Sequence, residues 1–383
     1  MNRIYLDHAA TSPVHPDVIQ ALATSYAECF GNASSIHETG RNARKQLDQA
    51  REVLAASIHA QPNEIILTSG GTEADNLAII GAAYANQKLG KHIITSEIEH
   101  HAVLHACQQL EKEGFEVTYL PVTQQGIVTI ESLKEALRED TTVVSIMHGN
   151  NEVGTVQQIA ELSEVVKAHQ AVFHTDAVQT YGSLEIDVTT LAVDLLSVSA
   201  HKLNGPKGIG FLYQRTGTKL RPLAHGGQQE RKRRAGTEAV PLAVAFAKAT
   251  EIKQQSIQKN YLAMLSLKKH FLEQLKTFGV DYTLNAEEAN QLPHICNVFF
   301  PQTDIETFLI QLDLAGMDVS SGSACTAGAV DPSHVLVAMF GDNAPQLRSS
   351  VRFSFGLGTT KEQLSQAAEK IAGVVNRPAS IWK

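Results

Sequence analysis

A lysine in a glycine-rich turn is the first residue of this chain whose setting suggests chemistry. Residues 193–198 form a short, mainly apolar segment that predicts a buried strand, and Lys202 follows it closely, after Ser199. Ligand crevices of open α/β sheets lie beyond the carboxyl ends of the strands. A lysine partly removed from water there loses some of its preference for the charged form, so it can act as a nucleophile or form a Schiff base. On this segment alone, a surface lysine in a turn is the simpler interpretation.

A second turn, over residues 68–76, has the composition of an anion site. Gly70 and Gly71 let the backbone approach a ligand closely, and the free N–H groups of a helix predicted to begin near Thr72 would bind an anion. The pattern matches neither a Walker A loop nor a dinucleotide fingerprint, so a single phosphate fits better than a nucleotide. An ordinary strand-to-helix turn with a serine or threonine as helix cap would have the same composition.

Two more predicted strand ends carry polar side chains. Asp176 follows the predicted strand 171–175, at the same sheet edge as Lys202, and a carboxylate buried there needs a cationic or hydrogen-bonded partner. His100 follows the strand at 93–96, and its imidazole could stack on the ring of a bound cofactor. A Schiff-base lysine, a phosphate turn and an aspartate across the sheet together describe a site for pyridoxal phosphate, whose ring nitrogen is commonly paired with an aspartate. As an alternative, Asp176 could cap the next helix.

The histidines beside His100 offer a metal site as a competing interpretation. His101 and His105 are four residues apart, which places them on one face of a helix. No third ligand has a suggestive spacing, so we expect no metal, and a solvent-exposed helix face explains both side chains.

One cysteine lies in a run of small residues. Residues 320–328 hold Cys325 among Ser, Gly, Ala and Thr, a composition that predicts a mobile surface loop. Because an exposed thiol is a liability unless it is used, Cys325 is a candidate nucleophile, although an incidental loop cysteine would look the same. We expect Cys29 and Cys107 to lie in helices and Cys296 in a strand, where small buried residues are common.

Two arginine-containing segments have both a functional and a structural explanation. Arg352, in a predicted strand near the end of the chain, could bind a carboxylate through two parallel hydrogen bonds or form an ordinary surface ion pair. Residues 230–234 read Glu-Arg-Lys-Arg-Arg and could face nucleic acid or an acidic partner, but a solvated charged loop explains most of these side chains.

Composition limits the class of protein. The chain has 383 residues, of which 43% are hydrophobic and 19% charged, and its net charge of −8 argues against nucleic acid as the main ligand. None of the four cysteines forms a C-x-x-C pair, no signal peptide is expected, and no apolar run reaches the length of a membrane span. The expected location is therefore the reduced cytoplasm.

From residue 64 the pattern alternates between short apolar segments and helical ones. This alternation predicts an α/β fold in which a mostly parallel sheet is covered by helices on both faces. One long helix is predicted at about 241–275, leading to a smaller α/β domain at the carboxyl-terminal end. We expect a large domain over residues 13–252 and a small one built from residues 1–12 and 253–383. The predicted strands lie near residues 65–68, 93–95, 117–120, 143–147, 171–175, 195–199, 209–213, 294–300 and 351–355.

Nine motifs in this order resemble the cysteine desulfurases, in the class-V aminotransferase superfamily of pyridoxal phosphate enzymes with fold type I. They lie at residues 5–11, 31–37, 68–73, 99–100, 150–154, 176–179, 201–202, 234–237 and 321–325. The Ser-Gly-Ser-Ala-Cys segment resembles the group with a long catalytic loop. The chain as a whole is similar to Bacillus-type enzymes that supply sulfur for tRNA thiolation.

The resemblance implies a set of residues that hold pyridoxal 5′-phosphate. Lys202 would carry the cofactor and move a proton, His100 would stack on its ring, and Asp176 would pair with the ring nitrogen. Ala200 is a departure, because the family usually has glycine there, but a small residue still fits the turn. The remaining contacts would come from Gln179 to the ring hydroxyl, from Gly71, Thr72, Ser199 and His201 to the phosphate, from Asn151, and from Thr237 of the second subunit of a homodimer.

The resemblance also implies a substrate and partners. Asn151 and Arg352 would bind the carboxylate of L-cysteine, and Cys325 would take its sulfur as a persulfide while alanine is released. The acceptor would be a tRNA thiolation enzyme, an iron–sulfur scaffold or both, with no direct contact to nucleic acid or membrane. Selenocysteine lyase activity, another class-V reaction, and a sulfur carrier without catalysis are the alternatives. The carrier is disfavoured because it needs no Lys202–Asp176–Thr72 site.

Overall fold

The computed structural model describes residues 3–301, 303–321 and 332–376, so Cys325 lies outside the described residues. The strands are β1 (Ile4–Tyr5), β2 (Ile65–Thr68), β3 (His92–Ser96), β4 (Glu116–Leu120), β5 (Thr141–Ser145), β6 (Val172–Asp176), β7 (Leu195–Ser199), β8 (Gly210–Gln214), β9 (Thr283–Leu284), β10 (Ile295–Phe299), β11 (Met317–Asp318) and β12 (Ser350–Ser354). The helices are α1 (Pro16–Glu28), α2 (Glu38–Ala56), α3 (Gly71–Asn86), α4 (His101–Lys112), α5 (Ile130–Ala136), α6 (Ile159–Lys167), α7 (Val188–Leu191), α8 (Val240–Gln254), α9 (Ile257–Thr277), α10 (Ile305–Leu314), α11 (His334–Phe340) and α12 (Lys361–Val375).

The largest sheet has seven strands in the order β2-β8-β7-β6-β5-β3-β4. Strands β7, β6, β5, β3 and β4 pair in parallel, and β8 runs antiparallel to both of its neighbours. The predicted α/β class with a mostly parallel sheet is confirmed. Because the parallel strands share one direction, their carboxyl ends meet at one edge of the sheet.

Helices cover both faces of this sheet, as neighbouring residues of β7 illustrate. Leu196 and Val198 belong to a core that includes Leu47 of α2 and Phe246 of α8. Leu195, which points the other way, belongs to a second core formed with α3 and α4. Strands buried on both faces explain why the segment is almost continuously apolar.

The carboxyl-terminal part contains a three-stranded antiparallel sheet in the order β12-β10-β9. Its core packs Phe271 of α9 against Phe353 and Phe355, with ring centroids 4.9 Å and 5.7 Å apart. The first strand, β1, pairs in parallel with β11. Residues 3–12, which we call the amino-terminal arm, therefore reach this part of the molecule. The domain boundaries expected at residues 13 and 252 stay a prediction.

The prediction of one helix over residues 241–275 is wrong. The chain forms two helices there, α8 and α9, which are separated at Gln255 and Ser256. Ser256 has φ −146° and ψ 25°, its hydroxyl donates to the carbonyl of Ile252 at 3.4 Å, and Asn260 donates to that hydroxyl at 2.9 Å. Serine side chains that bond to nearby backbone compete with helix formation, and this competition ends α8 without a glycine or proline.

Of the three described cysteines, two lie in the expected elements and one does not. Cys107 lies in α4 and Cys296 in β10, both fully buried, whereas Cys29 caps the end of α1 rather than lying within it. Within the described residues, none of the helices is both long and apolar enough to cross a membrane.

Candidate active site

The sequence-predicted residues lie at one edge of the seven-stranded sheet. Asp176 is the last residue of β6, Ser199 is the last residue of β7, and Lys202 ends the short 3₁₀ turn that follows. His100 lies between β3 and α4, and Gly71 begins α3 after β2. Each residue follows its own strand, so the direction of the strands brings them to one crevice.

Lys202 has its amine directed at backbone oxygens of the amino-terminal arm. Its Nζ atom donates to the carbonyls of Ala9 at 2.5 Å and Ala10 at 2.9 Å. Burial and, to a smaller extent, the positive charge of Arg352 lower the pKa of Lys202 to about 8, although Asp176 acts in the opposite direction. A substantial fraction of this amine is therefore neutral near physiological pH and able to act as a nucleophile.

Asp176 is buried and lies close enough to Lys202 that their charges interact. Its Oδ1 atom accepts a hydrogen bond from the N–H of Val178 at 2.8 Å, and burial raises its pKa to about 6. A second buried carboxylate, Asp75, adds to this environment, since burial and the charge of Asp176 both raise the pKa of Asp75. A cationic partner at Asp176 would favour its charged form.

His100 caps α4 and leaves its other ring nitrogen available. Its Nδ1 atom accepts the N–H of Ala102 at 3.1 Å. The residue is exposed to solvent. The surrounding protein nevertheless lowers the pKa of His100, and the nearby charge of Lys202 lowers it further. A neutral imidazole beside a lysine can stack on a flat ring and exchange a proton with a ligand.

The turn before α3 has the form of an anion site. Gly70 has φ +154°, a backbone conformation that favours glycine, and the first N–H groups of an α-helix have no partner within the helix. A Cβ atom at Gly71 would lie 2.8 Å from a methyl group of Val178, so a side chain would fill this space. Thr72 is exposed at the first turn. Glycine at both positions keeps the helix start open to a phosphate.

Three further predicted residues surround Lys202. Gln179 donates from Nε2 to the same Ala9 carbonyl, at 3.0 Å. Ala200 is fully buried, and Gly205 packs so closely on it that a Cβ there would lie 2.7 Å from the Ala200 oxygen. His201 contacts the Thr11 hydroxyl at 3.1 Å, and burial lowers its pKa to about 4. The arm and the lysine turn are thus joined by hydrogen bonds.

Arg352 reaches the same region from β12. The side chain is buried and donates from Nη1 to the backbone oxygen of Asn151 at 2.9 Å and from Nη2 to Asp7 at 2.8 Å. Its buried Nε atom has no partner among the described residues. The surface ion pair considered from the sequence is therefore wrong, because the arginine pairs with Asp7 inside the protein and keeps one donor unused.

Two predicted residues are not brought to Lys202 by the described part of one chain. Thr237 is exposed in the segment before α8, and Cys325 lies outside the described residues. The histidines on α4 do approach a third one, since the ring centroids of His101 lie 5.1 Å from His105 and 4.8 Å from His334. No group of residues that could hold a metal ion occurs within the described ranges.

Sequence reasoning missed two buried carboxyl groups beside this site. Glu99 is fully buried, accepts from Ser96 at 2.6 Å and from the N–H of Met147 at 2.9 Å, and has its pKa raised to about 8 by burial. Asp75 lies 3.6 Å from the Nε2 atom of His174. The only sequence signal was position: Glu99 directly precedes His100, and Asp75 lies one turn into the helix of the anion site.

The basic run over residues 230–234 is less solvated than expected. Glu230 is buried and pairs with Arg51 at 2.6 Å, and Arg234 pairs with Glu73 of α3 at 2.8 Å. Only Arg231 and Lys232 of this run are exposed.

Comparison with known proteins places this arrangement in a family. The profile described as aminotransferase class-V matches residues 4–366. The chain belongs to the class-V aminotransferase family. The family resemblance inferred from the nine ordered motifs is therefore confirmed.

Relatives of this class-V protein match it over nearly its full length. A putative cysteine desulfurase IscS 1 of Bacillus subtilis is 55% identical and covers 98% of this chain and 100% of its own. A cysteine desulfurase IscS of Dictyoglomus turgidum is 47% identical, covering 99% and 96%. Among solved structures, a NifS-like protein is 36% identical with a TM-score of 0.91, covering 98% and 99%. The fold type I prediction is confirmed by this similarity.

Proposed function

We propose that this class-V protein is a cysteine desulfurase that uses pyridoxal 5′-phosphate to convert L-cysteine to L-alanine and a persulfide on Cys325. The observation that carries the proposal is the placement of Lys202, with its pKa lowered to about 8, within electrostatic reach of both Asp176 and His100. The printed names of the relatives support the same activity. The chemistry that the cofactor supplies is withdrawal of electrons from the carbon that carries the amino group.

The residues present fit the cofactor. The amine of Lys202 would bind its aldehyde carbon, and the start of α3, with Gly71 and Thr72, would bind its phosphate together with Ser199 and His201. Asp176 is a carboxylate whose pKa is raised by burial, so a protonated ring nitrogen beside it would favour its charged form. Gln179 would contact the ring hydroxyl.

The side chains around Lys202 would bind and orient the substrate. Arg352 has an unused donor at Nε and would contact the carboxylate of cysteine, with the side chain of Asn151 beside it. The neutral amine of Lys202 would take the proton from the carbon that carries the amino group of cysteine, and would return it as alanine forms. His100, whose pKa is lowered, would accept and donate a proton at its free ring nitrogen.

The sulfur chemistry belongs to Cys325. Its thiolate would attack the sulfur of the bound cysteine, so that the carbon–sulfur bond breaks and a sulfur–sulfur bond forms. The acceptor would be a tRNA thiolation enzyme, an iron–sulfur scaffold or both. The proposal includes a homodimer, in which Thr237 would complete the phosphate site of the other subunit, and a location in the cytoplasm, where thiols stay reduced.

Paired variants test this proposal. After incubation of the protein with cofactor and L-cysteine, Cys325→Ser is expected to keep the yellow absorbance of the bound cofactor and to lose persulfide, whereas Cys29→Ser keeps both. Lys202→Ala is expected to lose the absorbance and alanine formation, and Lys207→Ala, an exposed lysine five residues later, to retain both. Persistent sulfide release at the wild-type rate by Cys325→Ser, or unchanged absorbance of Lys202→Ala, would contradict the proposal.

A further inference from the structure

A cavity of about 370 Å³ lies between α8, α9 and the carboxyl-terminal part, and Lys202 forms part of its wall. Asp176, His100, Thr72 and Arg352 do not line it, and Lys202 is the site residue that it shares with the crevice described above. We call it the α8–α9 cavity, defined by Lys253, Asn260, Tyr261, His294 and residues 355–359. Its volume lies within the range of sites that bind small molecules.

The wall of the α8–α9 cavity is basic. Among the described residues that line it there are two lysines and three histidines, and none is an aspartate or a glutamate. The ammonium group of Lys253 makes no hydrogen bond or ion pair with any described part of the chain. Partial burial lowers its pKa, as expected for an ammonium group that lacks a counter-charge. An anion in the cavity would supply this counter-charge.

His8 lies in the wall of the same cavity. The N–H of Gly356 donates to the Thr359 hydroxyl at 3.1 Å, so that hydroxyl can direct its own proton to Nε2 of His8, 3.5 Å away. The imidazole is neutral, because burial and the charge of Lys253 lower its pKa to about 4. Its Nδ1 atom is buried without a partner among the described residues and lies against Gly356, where an added Cβ would come within 2.3 Å of it. Only 6% of His8 is exposed.

The remaining wall selects an organic ligand over a bare inorganic ion. Tyr261, Met264, Phe355 and Leu357 present apolar surface to the space beside Lys253. A hydrated inorganic anion gains no binding free energy from contact with such a surface. An organic carboxylate does, because its apolar part is removed from water there.

We propose that the α8–α9 cavity binds a small organic carboxylate, with its charge held by Lys253 and its apolar flank against α9. The site is distinct from the substrate carboxylate position at Arg352, and it does not depend on the proposed desulfurase activity. Because His8 directly precedes the Ala9 and Ala10 carbonyls that hold Lys202, a ligand here contacts the support of the catalytic lysine.

Calorimetric titration of the cofactor-loaded protein with benzoate, and separately with sulfate, tests the proposal. We expect benzoate to bind more tightly than sulfate, and Lys253→Met to weaken benzoate binding about tenfold or more, the effect of losing a charge-assisted hydrogen bond. Lys253→Arg keeps the charge and is expected to retain binding within about threefold.

Two control variants separate this cavity from other carboxylate sites. Lys248→Met removes a partly exposed lysine of the same helix, and Arg352→Gln removes the arginine of the crevice; both are expected to bind benzoate as the wild type does. Unchanged affinity in Lys253→Met, loss of binding in Arg352→Gln, tighter binding of sulfate than of benzoate, or no benzoate binding to the wild type would each overturn the proposal. Circular dichroism and cofactor absorbance establish that Lys253→Met is folded.

Discussion

Arg352 and Asp7, 345 residues apart in the chain, form an ion pair inside the protein. The Nη2 atom of Arg352 lies 2.8 Å from Oδ1 of Asp7, and the arginine side chain is 5% exposed. The pair joins the amino-terminal arm to β12 beside Lys202. Asp7 thereby orients the guanidinium that is proposed to bind substrate, and it leaves Nε as the unused donor.

Arg352→Gln is expected to lower kcat/KM for L-cysteine about 10- to 100-fold, mainly through KM, because a hydrogen bond to a charged group contributes about 1.5–3 kcal/mol. Cofactor absorbance is expected to persist, since the arginine contacts the substrate. Arg348→Gln, an exposed arginine four residues earlier, is the control and is expected to have wild-type kinetics. A wild-type KM in Arg352→Gln would mean that the Asp7 pair has a structural role only.

The rate at which apoprotein recombines with pyridoxal phosphate is expected to rise with pH around a midpoint near 8. Only the neutral amine of Lys202 attacks, and burial lowers the pKa of Lys202 to about 8. Asp176 raises this pKa and Arg352 lowers it, so Asp176→Asn is expected to move the midpoint down and Arg352→Gln to move it up. Stopped-flow absorbance measures the rates. A midpoint at the ordinary lysine value of 10.5 would contradict the assignment.

The buried carboxyl of Glu99 predicts a pH dependence of stability. Burial raises its pKa from 4.5 to about 8, so between these values the folded protein holds a proton that the unfolded chain releases. Its contribution to the free energy of unfolding therefore falls as pH rises across this interval, by up to about 1.4 kcal/mol per pH unit, and levels off above pH 8. Glu99→Gln keeps the acceptor for Ser96 and Met147 and is expected to remove this fall.

Urea denaturation at pH 6, 7 and 8 measures the Glu99 effect. Glu139→Gln, on an exposed glutamate, is the control and is expected to leave the pH dependence of the wild type unchanged. Parallel pH profiles of the wild type and Glu99→Gln would show that Glu99 is ionised in the folded protein.

Glu230→Gln is expected to lower the free energy of unfolding by about 3 kcal/mol, because Arg51 would be left as an uncompensated, largely buried charge. The carboxylate of Glu230 accepts two hydrogen bonds from Arg51, at 2.6 Å and 2.8 Å, and one from the N–H of Leu67 at 3.1 Å. Urea denaturation again measures the change. Glu52→Gln, on the exposed face of α2, is the control, and its free energy of unfolding is expected to stay within about 0.5 kcal/mol of the wild type. Equal losses of stability in the two variants would refute the role of the buried pair.

The grouping of the site residues at one edge of the sheet was predictable from the sequence, because each of these residues follows its own short apolar segment. Lys202, Asp176 and His100 each come after such a segment, and the shared direction of parallel strands then brings them together. The break between α8 and α9 was not predictable from Gly or Pro, since the side chain of Ser256 causes it through bonds to neighbours one turn away.

The sequence by itself determined the α/β class, the strand-end positions of Lys202, Asp176 and Thr72, and the family, because these depend on local patterns and ordered motifs. Only the tertiary structure decided the pairings between distant residues. The carboxylate of Asp7 holds Arg352, Glu230 is buried against Arg51, and Lys253 is left without a counter-charge in a cavity beside His8. Such pairings depend on which surfaces the fold brings into contact and which it removes from water, and no local spacing records either.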